Sequence, residues 1–192
     1  MRIFDHFNLI APLYDRAIPL QNIEHLISLL DISPGGSLLD AGGGTGRVSK
    51  VLTDYYSCVC VADLSEMMLK QALSKGGMCT VQSHTEYLPF LDETFDNIIM
   101  VDALHHVCDH KMTARELWRV IKAGGRIVIE EPDIRKVGVK LIAIAEKIAL
   151  MRSHFINPVR IAKLFSETNA SSEIYTDGAN SWVIIDKPRV VG

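Results

Sequence analysis

At 192 residues, 48% hydrophobic and 22% charged, the sequence has the length and composition of one globular domain and excludes a disordered chain. A net charge of -3 provides no basic field to gather phosphates, so nucleic acid is not an expected partner. The cysteines, Cys58, Cys60, Cys79 and Cys108, form no C-x-x-C pair and most lie in apolar runs, which predicts buried thiols in a reducing compartment. The N-terminal MRIFDHFNLIAPLYDR has acidic residues and no uninterrupted apolar core, so a cytoplasmic protein is expected.

In chain order, periodicity predicts helices over Phe4–Tyr14 and Gln21–Leu30, with Pro19 suited to a helix start. From Ser37 strands and helices alternate. Strands are predicted at Leu38–Asp40, Ser57–Ala62, Met78–Gln82, Phe95–Val101 and Arg126–Glu130, and helices at Arg47–Leu52, Glu66–Ser74 and Met112–Ile121. This alternation argues for an α/β domain with a parallel sheet wrapped on both faces. A helix follows over Val137–Met151, too short and too charged to span a bilayer, then a short one over Pro158–Ser166. The runs Ser172–Tyr175 and Trp182–Ile185 flank Asp177-Gly178 and read as a terminal hairpin. No repeat, linker or domain boundary interrupts the pattern, so residues 1–192 form one domain.

The first chemistry-bearing segment is Leu38-Leu39-Asp40-Ala41-Gly42-Gly43-Gly44-Thr45-Gly46-Arg47, a strand ending in an acid, a glycine turn and a helix. Such a turn lets a ligand lie against bare backbone at a helix N-terminus. The dinucleotide fingerprint G-x-G-x-x-G fails from either Gly42 or Gly44, because Arg47 or Ser49 stands at its last position, and no lysine follows Gly46 as a phosphate loop requires. What remains is D-x-G-x-G-x-G, on Asp40, Gly42, Gly44 and Gly46. That pattern resembles the first motif of the class I S-adenosylmethionine-dependent methyltransferases. The acid suits a ligand whose methionine end carries an ammonium beside a sulfonium, where it would repel a pyrophosphate.

Asp63, about 20 residues beyond the turn at the end of the second strand, is placed to accept hydrogen bonds from both ribose hydroxyls. Ser65 is the better N-cap for the helix that follows. The segment Gln82-Ser83-His84-Thr85-Glu86-Tyr87-Leu88-Pro89-Phe90, with Phe95-Asp96 after it, resembles the family segment in which an acid holds the adenine amino group. His84 stands at that acid's position, and Thr85, by hydroxyl or backbone, is a candidate to share the contact. Leu64 and Asp102 complete the cofactor-binding set that the resemblance implies.

Three readings stand for Asp102-Ala103-Leu104-His105-His106-Val107-Cys108-Asp109-His110. A metal site on His105, His106, Cys108 and His110 is allowed by residue type, although adjacent helical residues diverge by about 100°. Capping and solvating a helix is the second, above all for His110. In the third, which the resemblance favours, His106 faces the methyl acceptor. The signature N-P-P-[YFW] of amino-group methylation is absent. The run Glu116 to Ile129 resembles the family's helix, K-P-G-G turn and fifth strand, with Ala123 in place of the proline.

The resemblance runs from about Phe4 to the terminal hairpin, and is similar to the small-molecule branch that includes the ubiquinone and menaquinone biosynthesis C-methyltransferases. It implies a Rossmann-like seven-stranded sheet of order 3-2-1-4-5-7-6 with the last strand antiparallel. It also implies an N-terminal helical lid over residues 1–35 whose Tyr14 covers the cofactor, a cofactor-binding core over 36–131, and acceptor-side helices and hairpin over 132–192. The implied activity is methyl transfer from S-adenosylmethionine to a small apolar or aromatic acceptor, with no metal. The alternatives are a non-catalytic cofactor-binding scaffold and, more remotely, an oxidoreductase. Val139, Ile142 and Ala149 add apolar surface beyond one buried stripe of the Val137–Met151 helix, which is therefore expected to line an apolar pocket and to touch a membrane transiently when the acceptor is a lipid.

Overall fold

Runs of Val, Ile, Leu and Met alternate with helical segments from Ser37 onward, and in the computed structural model, which describes residues 22–133 and 154–189, each run becomes a strand of one sheet. After helix α1 (Ile23–Leu29) come β1 (Ser37–Ala41), α2 (Arg47–Leu52), β2 (Cys58–Asp63), α3 (Glu66–Lys75), β3 (Cys79–Gln82) and β4 (Phe95–Val101). A 3-10 turn (Leu104–His106), α4 (His110–Val120), β5 (Ile121–Pro132), α5 (Pro158–Lys163), β6 (Ser171–Asp177) and β7 (Asn180–Asp186) complete the described chain. The strand order is β3-β2-β1-β4-β5-β7-β6, as the family resemblance implies. The pairs among β1 to β5 are parallel, whereas β7 runs antiparallel to both β5 and β6.

Side chains alternate across each strand, so neighbouring residues supply opposite layers of the core. Leu39, Ile98, Ile127 and Ile129 pack on one face with Leu117 and Phe165, while Leu38, Ile99, Val128 and Trp182 pack on the other with Leu26 and Leu52. Burial on both faces is why the central strands read as unbroken apolar runs. The helix starts are set by side chains: Ser65 caps α3 through Met68 N–H at 3.3 Å, and Asp109 caps α4 through Lys111 and Met112 N–H at 2.9 and 3.0 Å. Asn157 caps α5 ahead of Pro158.

Two expectations change. Cys60 is buried, but Cys58, Cys79 and Cys108 are exposed. Cys58 and Cys79 open their strands, β3 is the sheet's edge, and Cys108 lies in the turn before α4, so no layer covers them. β5 is also longer than predicted, because pairing with β4 continues past a register irregularity to Phe95–Ile121. The predicted helices over Phe4–Tyr14 and Val137–Met151 lie outside the described residues. Among the described residues, no helix is long and apolar enough to cross a membrane.

Candidate cofactor and acceptor site

The carboxyl ends of β1, β2, β4 and β5 bring the predicted residues to one edge of the sheet, where open α/β sheets bind ligands. β1 delivers Asp40, which is only 1% exposed. Its Oδ2 accepts the Ser49 hydroxyl at 2.7 Å, while its Oδ1 is buried with no hydrogen-bond partner. Burial pushes the Asp40 carboxyl up to about 6, against the lowering effect of Ser49. A buried acceptor with an unused oxygen is costly unless a ligand satisfies it, and a cationic ligand does so best.

The glycines of the turn have different duties. Gly44, at φ 53°, has only Asp63 Oδ2 within 4 Å of where a Cβ would stand, at 4.0 Å, so its face is bare backbone open to a ligand. A Cβ on Gly42 would meet Ala103 Cβ at 2.7 Å, and one on Gly46 would meet Met78 Sδ at 2.7 Å. Those two glycines allow the turn to pack against the segment after β4 and against the layer around α3.

Asp63 ends β2 with both carboxylate oxygens engaged: Oδ2 accepts Gly44 N–H at 2.9 Å and Oδ1 accepts Ser65 N–H at 2.8 Å. Leu64 is 47% exposed, and its carbonyl accepts the Gln82 amide at 2.9 Å, which ties the β2 exit to the β3 exit. His84 is half exposed, with Nδ1 3.9 Å from Glu86 Oε2. Thr85 is buried, and its hydroxyl lies 3.2 Å from that of Thr113 and 3.4 Å from Glu86. The Thr85 hydroxyl is therefore turned to protein partners.

Asp102 follows β4 with a left-handed backbone, φ 52°, and its carboxylate lies 3.5 Å from the guanidinium of Arg47, the first residue of α2. Its N–H donates to the Glu130 carbonyl at 3.0 Å. Glu130, at the end of β5, accepts the Asn180 amide at 2.8 Å. Burial, with the charge of Asp102 beside it, pushes the Glu130 carboxyl up to about 7. Asp40, Asp63, Asp102 and Glu130 thus converge on the turn, where they suit a ligand with positive charge.

The histidines divide by position. His105 is buried and its Nδ1 meets Glu131 Oε2 at 2.6 Å; His106 is half-buried, its ring centroid 3.9 Å from that of His105. Burial, then the neighbouring His105, pushes the His106 ring down to about 3, so it stays neutral. His110 is lowered too, chiefly by burial, and its buried Nε2 has no hydrogen-bond partner. Among the described residues, no group of His, Cys, Asp or Glu is placed to hold a metal ion. Tyr14 lies outside the described residues.

Arg47, Ser49, Glu86, Glu130 and Glu131 escape the sequence reading. Glu86 accepts the N–H groups of Cys108 and Asp109 at 2.9 and 3.2 Å, joining the segment after β3 to the start of α4. For Glu130 and Glu131 the available signal was two acids ending an apolar strand.

Residues 39–129 match the family model described as a methyltransferase domain. The chain is 34% identical over 117 residues to the ubiquinone/menaquinone biosynthesis C-methyltransferase UbiE of Marinomonas sp., covering 56% of this chain and 47% of that relative. It is 36% identical over 108 residues to the enzyme of that name from Enterobacter sp., covering 50% and 43%. The match therefore spans less than half the length of these curated relatives. A SAM-dependent methyltransferase of Thermotoga maritima superposes with a TM-score of 0.79 at 21% identity, covering 94% of this chain and 98% of its own. The cyclase SpnF superposes equally well, 0.79 at 13% identity, covering 95% and 94%. These structural likenesses show the fold.

Residues 39–129, which contain the glycine turn, are thus similar to a class I S-adenosylmethionine-dependent methyltransferase domain. Over that segment the chain is similar to UbiE, and S-adenosylmethionine is the cofactor that this likeness gives.

Proposed function

We propose that this chain transfers a methyl group from S-adenosylmethionine to a small, apolar or aromatic acceptor, at carbon by likeness to its UbiE relatives. The observation that carries the reading is the unused, buried Oδ1 of Asp40 beside the open backbone of Gly44. Asp40 would hold the ammonium, Asp63 the ribose hydroxyls, and Leu64 one face of the base, with His84 and the Thr85 backbone at its edge. When bound, the cofactor supplies an electrophilic methyl on sulfur.

This chain's own residues bind and orient, and they keep water out; in methyl transfer, alignment of acceptor and methyl is the main source of rate. His106, held neutral by burial, orients the acceptor as a hydrogen-bond partner; transfer to a ring carbon leaves the cofactor as the neutral thioether, and the proton shed by that carbon passes to solvent. The apolar surplus of Val137–Met151 in the sequence supports an apolar acceptor, and with a lipid acceptor a transient membrane contact.

Calorimetry with S-adenosylmethionine, its demethylated product and NAD tests the binding half: heat with the first two and none with NAD is expected, and the reverse overturns the reading. Transfer of labelled methyl to a panel of quinols, phenols and small amines tests the reaction. The replacement of the adenine-holding acid by His84 favours a second reading, a cofactor-binding protein without turnover. Tight binding with no labelled product across the panel would establish it.

A further inference from the structure

Glu131 follows Glu130 on β5, and strand alternation turns its side chain to the other face, toward the turn after β4. There Oε1 accepts the Leu104 N–H at 2.6 Å and Oε2 meets His105 Nδ1 at 2.6 Å. The two residues are 3% and 4% exposed. The Leu104 N–H can only donate, so it holds one carboxylate oxygen in place, and the other oxygen fixes the orientation of the imidazole.

The His105 ring passes that constraint on. It stacks on Phe155, with centroids 4.3 Å apart and planes 11° apart, and lies against the His106 ring. The His105 carbonyl accepts the His154 N–H at 2.6 Å. One side chain on β5 therefore ties the turn after β4 to the segment that enters α5. The ionisable groups gathered around it are Glu131, His106, His110 and His154. A buried acid–imidazole pair is expensive to desolvate, and apolar residues of similar volume would hold the two segments together as well. Orientation explains its presence better than stability does.

Resting on the methyltransferase reading above, we propose that Glu131 is a positioning residue: acting through His105, which stacks on Phe155, it sets the His106 ring that bounds the acceptor, and it takes no part in holding the cofactor. The test compares wild type with Glu131→Gln and Glu131→Asp, each saturated with the demethylated cofactor, by nitrogen-15 spectra of the histidine rings. In Glu131→Gln the hydrogen-bonded Nδ1 proton of His105 should disappear and the His106 ring signals should shift. Glu131→Asp should restore both in part, and the dissociation constant of the demethylated cofactor should stay within twofold in all three proteins. With 1,4-naphthohydroquinone as the methyl acceptor, turnover should fall at least tenfold in Glu131→Gln and recover in part in Glu131→Asp.

Unchanged ring signals, or a cofactor affinity that falls in step with them, overturns the proposal, as does equal turnover by wild type and Glu131→Gln. If Glu131→Gln fails to fold, His105→Gln replaces it and should shift His106 in the same way; an unmoved His106 is again fatal. Absence of turnover in wild type counts against the methyltransferase reading with this acceptor, and the ring signals and cofactor affinity then decide the role of Glu131.

Discussion

Asp63 Oδ2 accepts the backbone N–H of Gly44 at 2.9 Å, so the acid that ends β2 braces the turn whose open backbone awaits the ligand. Asp63→Ala removes that brace together with the proposed ribose contact. Affinity for S-adenosylmethionine should drop by about 1.5–3 kcal/mol, the usual worth of hydrogen bonds to a charged group. Calorimetry checks this, and an unchanged dissociation constant would place the ribose elsewhere.

Cofactor affinity should depend on pH. The raised carboxyls of Asp40, about 6, and Glu130, about 7, hold protons in the ligand-free protein that a cationic ligand must displace. Binding therefore releases protons, and affinity should climb as pH rises from about 5 toward 7.5 before levelling. Calorimetry in buffers of different ionisation enthalpy counts the protons. Uptake, or none, would contradict a positively charged ligand beside these acids.

The same acids weaken the empty fold. A carboxyl raised in the folded state binds its proton more tightly there than in the unfolded chain, so the stability it supports is present below pH 4 and is lost as pH rises through about 6. Asp40→Asn should thus stabilise the ligand-free protein at pH 8 by about 1–3 kcal/mol, while weakening cofactor binding at least tenfold. Thermal melts at pH 5 and pH 8 check the sign; equal shifts at the two values would refute it.

His84 and Thr85 should behave unlike each other. His84 is half exposed, and its Nδ1 lies 3.9 Å from Glu86, so His84→Ala should change cofactor affinity less than about threefold. Thr85→Val leaves the buried Thr113 hydroxyl short of a partner and should cost about 1–3 kcal/mol of stability. Denaturant titration and calorimetry on the two variants separate the effects. Complete loss of binding in His84→Ala would make it the main adenine contact.

His106→Ala should lower turnover while cofactor affinity holds within about twofold, since a ring pushed down to about 3 contributes shape and a neutral hydrogen bond. The pH profile of the residual activity should retain its form. A lost limb between pH 5 and 8 would show that His106 titrates there after all.

What could be read from the sequence is what repeats locally. β4 is predicted at its observed bounds, Phe95–Val101, because it is a buried run closed by polar residues at both ends. Asp40 and Asp63 follow from fixed spacing around one turn. β5 is underestimated because Gly124-Gly125 interrupts its pattern, and pairing with β4 resumes on the other side of them. The Glu131–His105 pair joins residues 26 apart, and Arg47 meets Asp102 across β2, α3, β3 and β4; no periodicity signals a partnership made only when the sheet assembles. The cysteines mislead because residue type suggests burial, while exposure at the sheet's edge is a matter of topology.

The order β5-β7-β6 also has a consequence in time. β7 lies between two strands made earlier, so until residues 180–186 leave the ribosome, Ile127, Val128 and Ile129 line an open edge that nothing described in the chain can pair. Arg126 links the two ends of the described chain: its guanidinium donates to the Leu29 carbonyl and to Asp186, so the exit of the first described helix is joined to the last strand only when that strand is made. The growing chain therefore carries a sticky half-sheet while residues 133–179 are made, and a ribosome stalled just short of Asn180 would present chaperones with an apolar template.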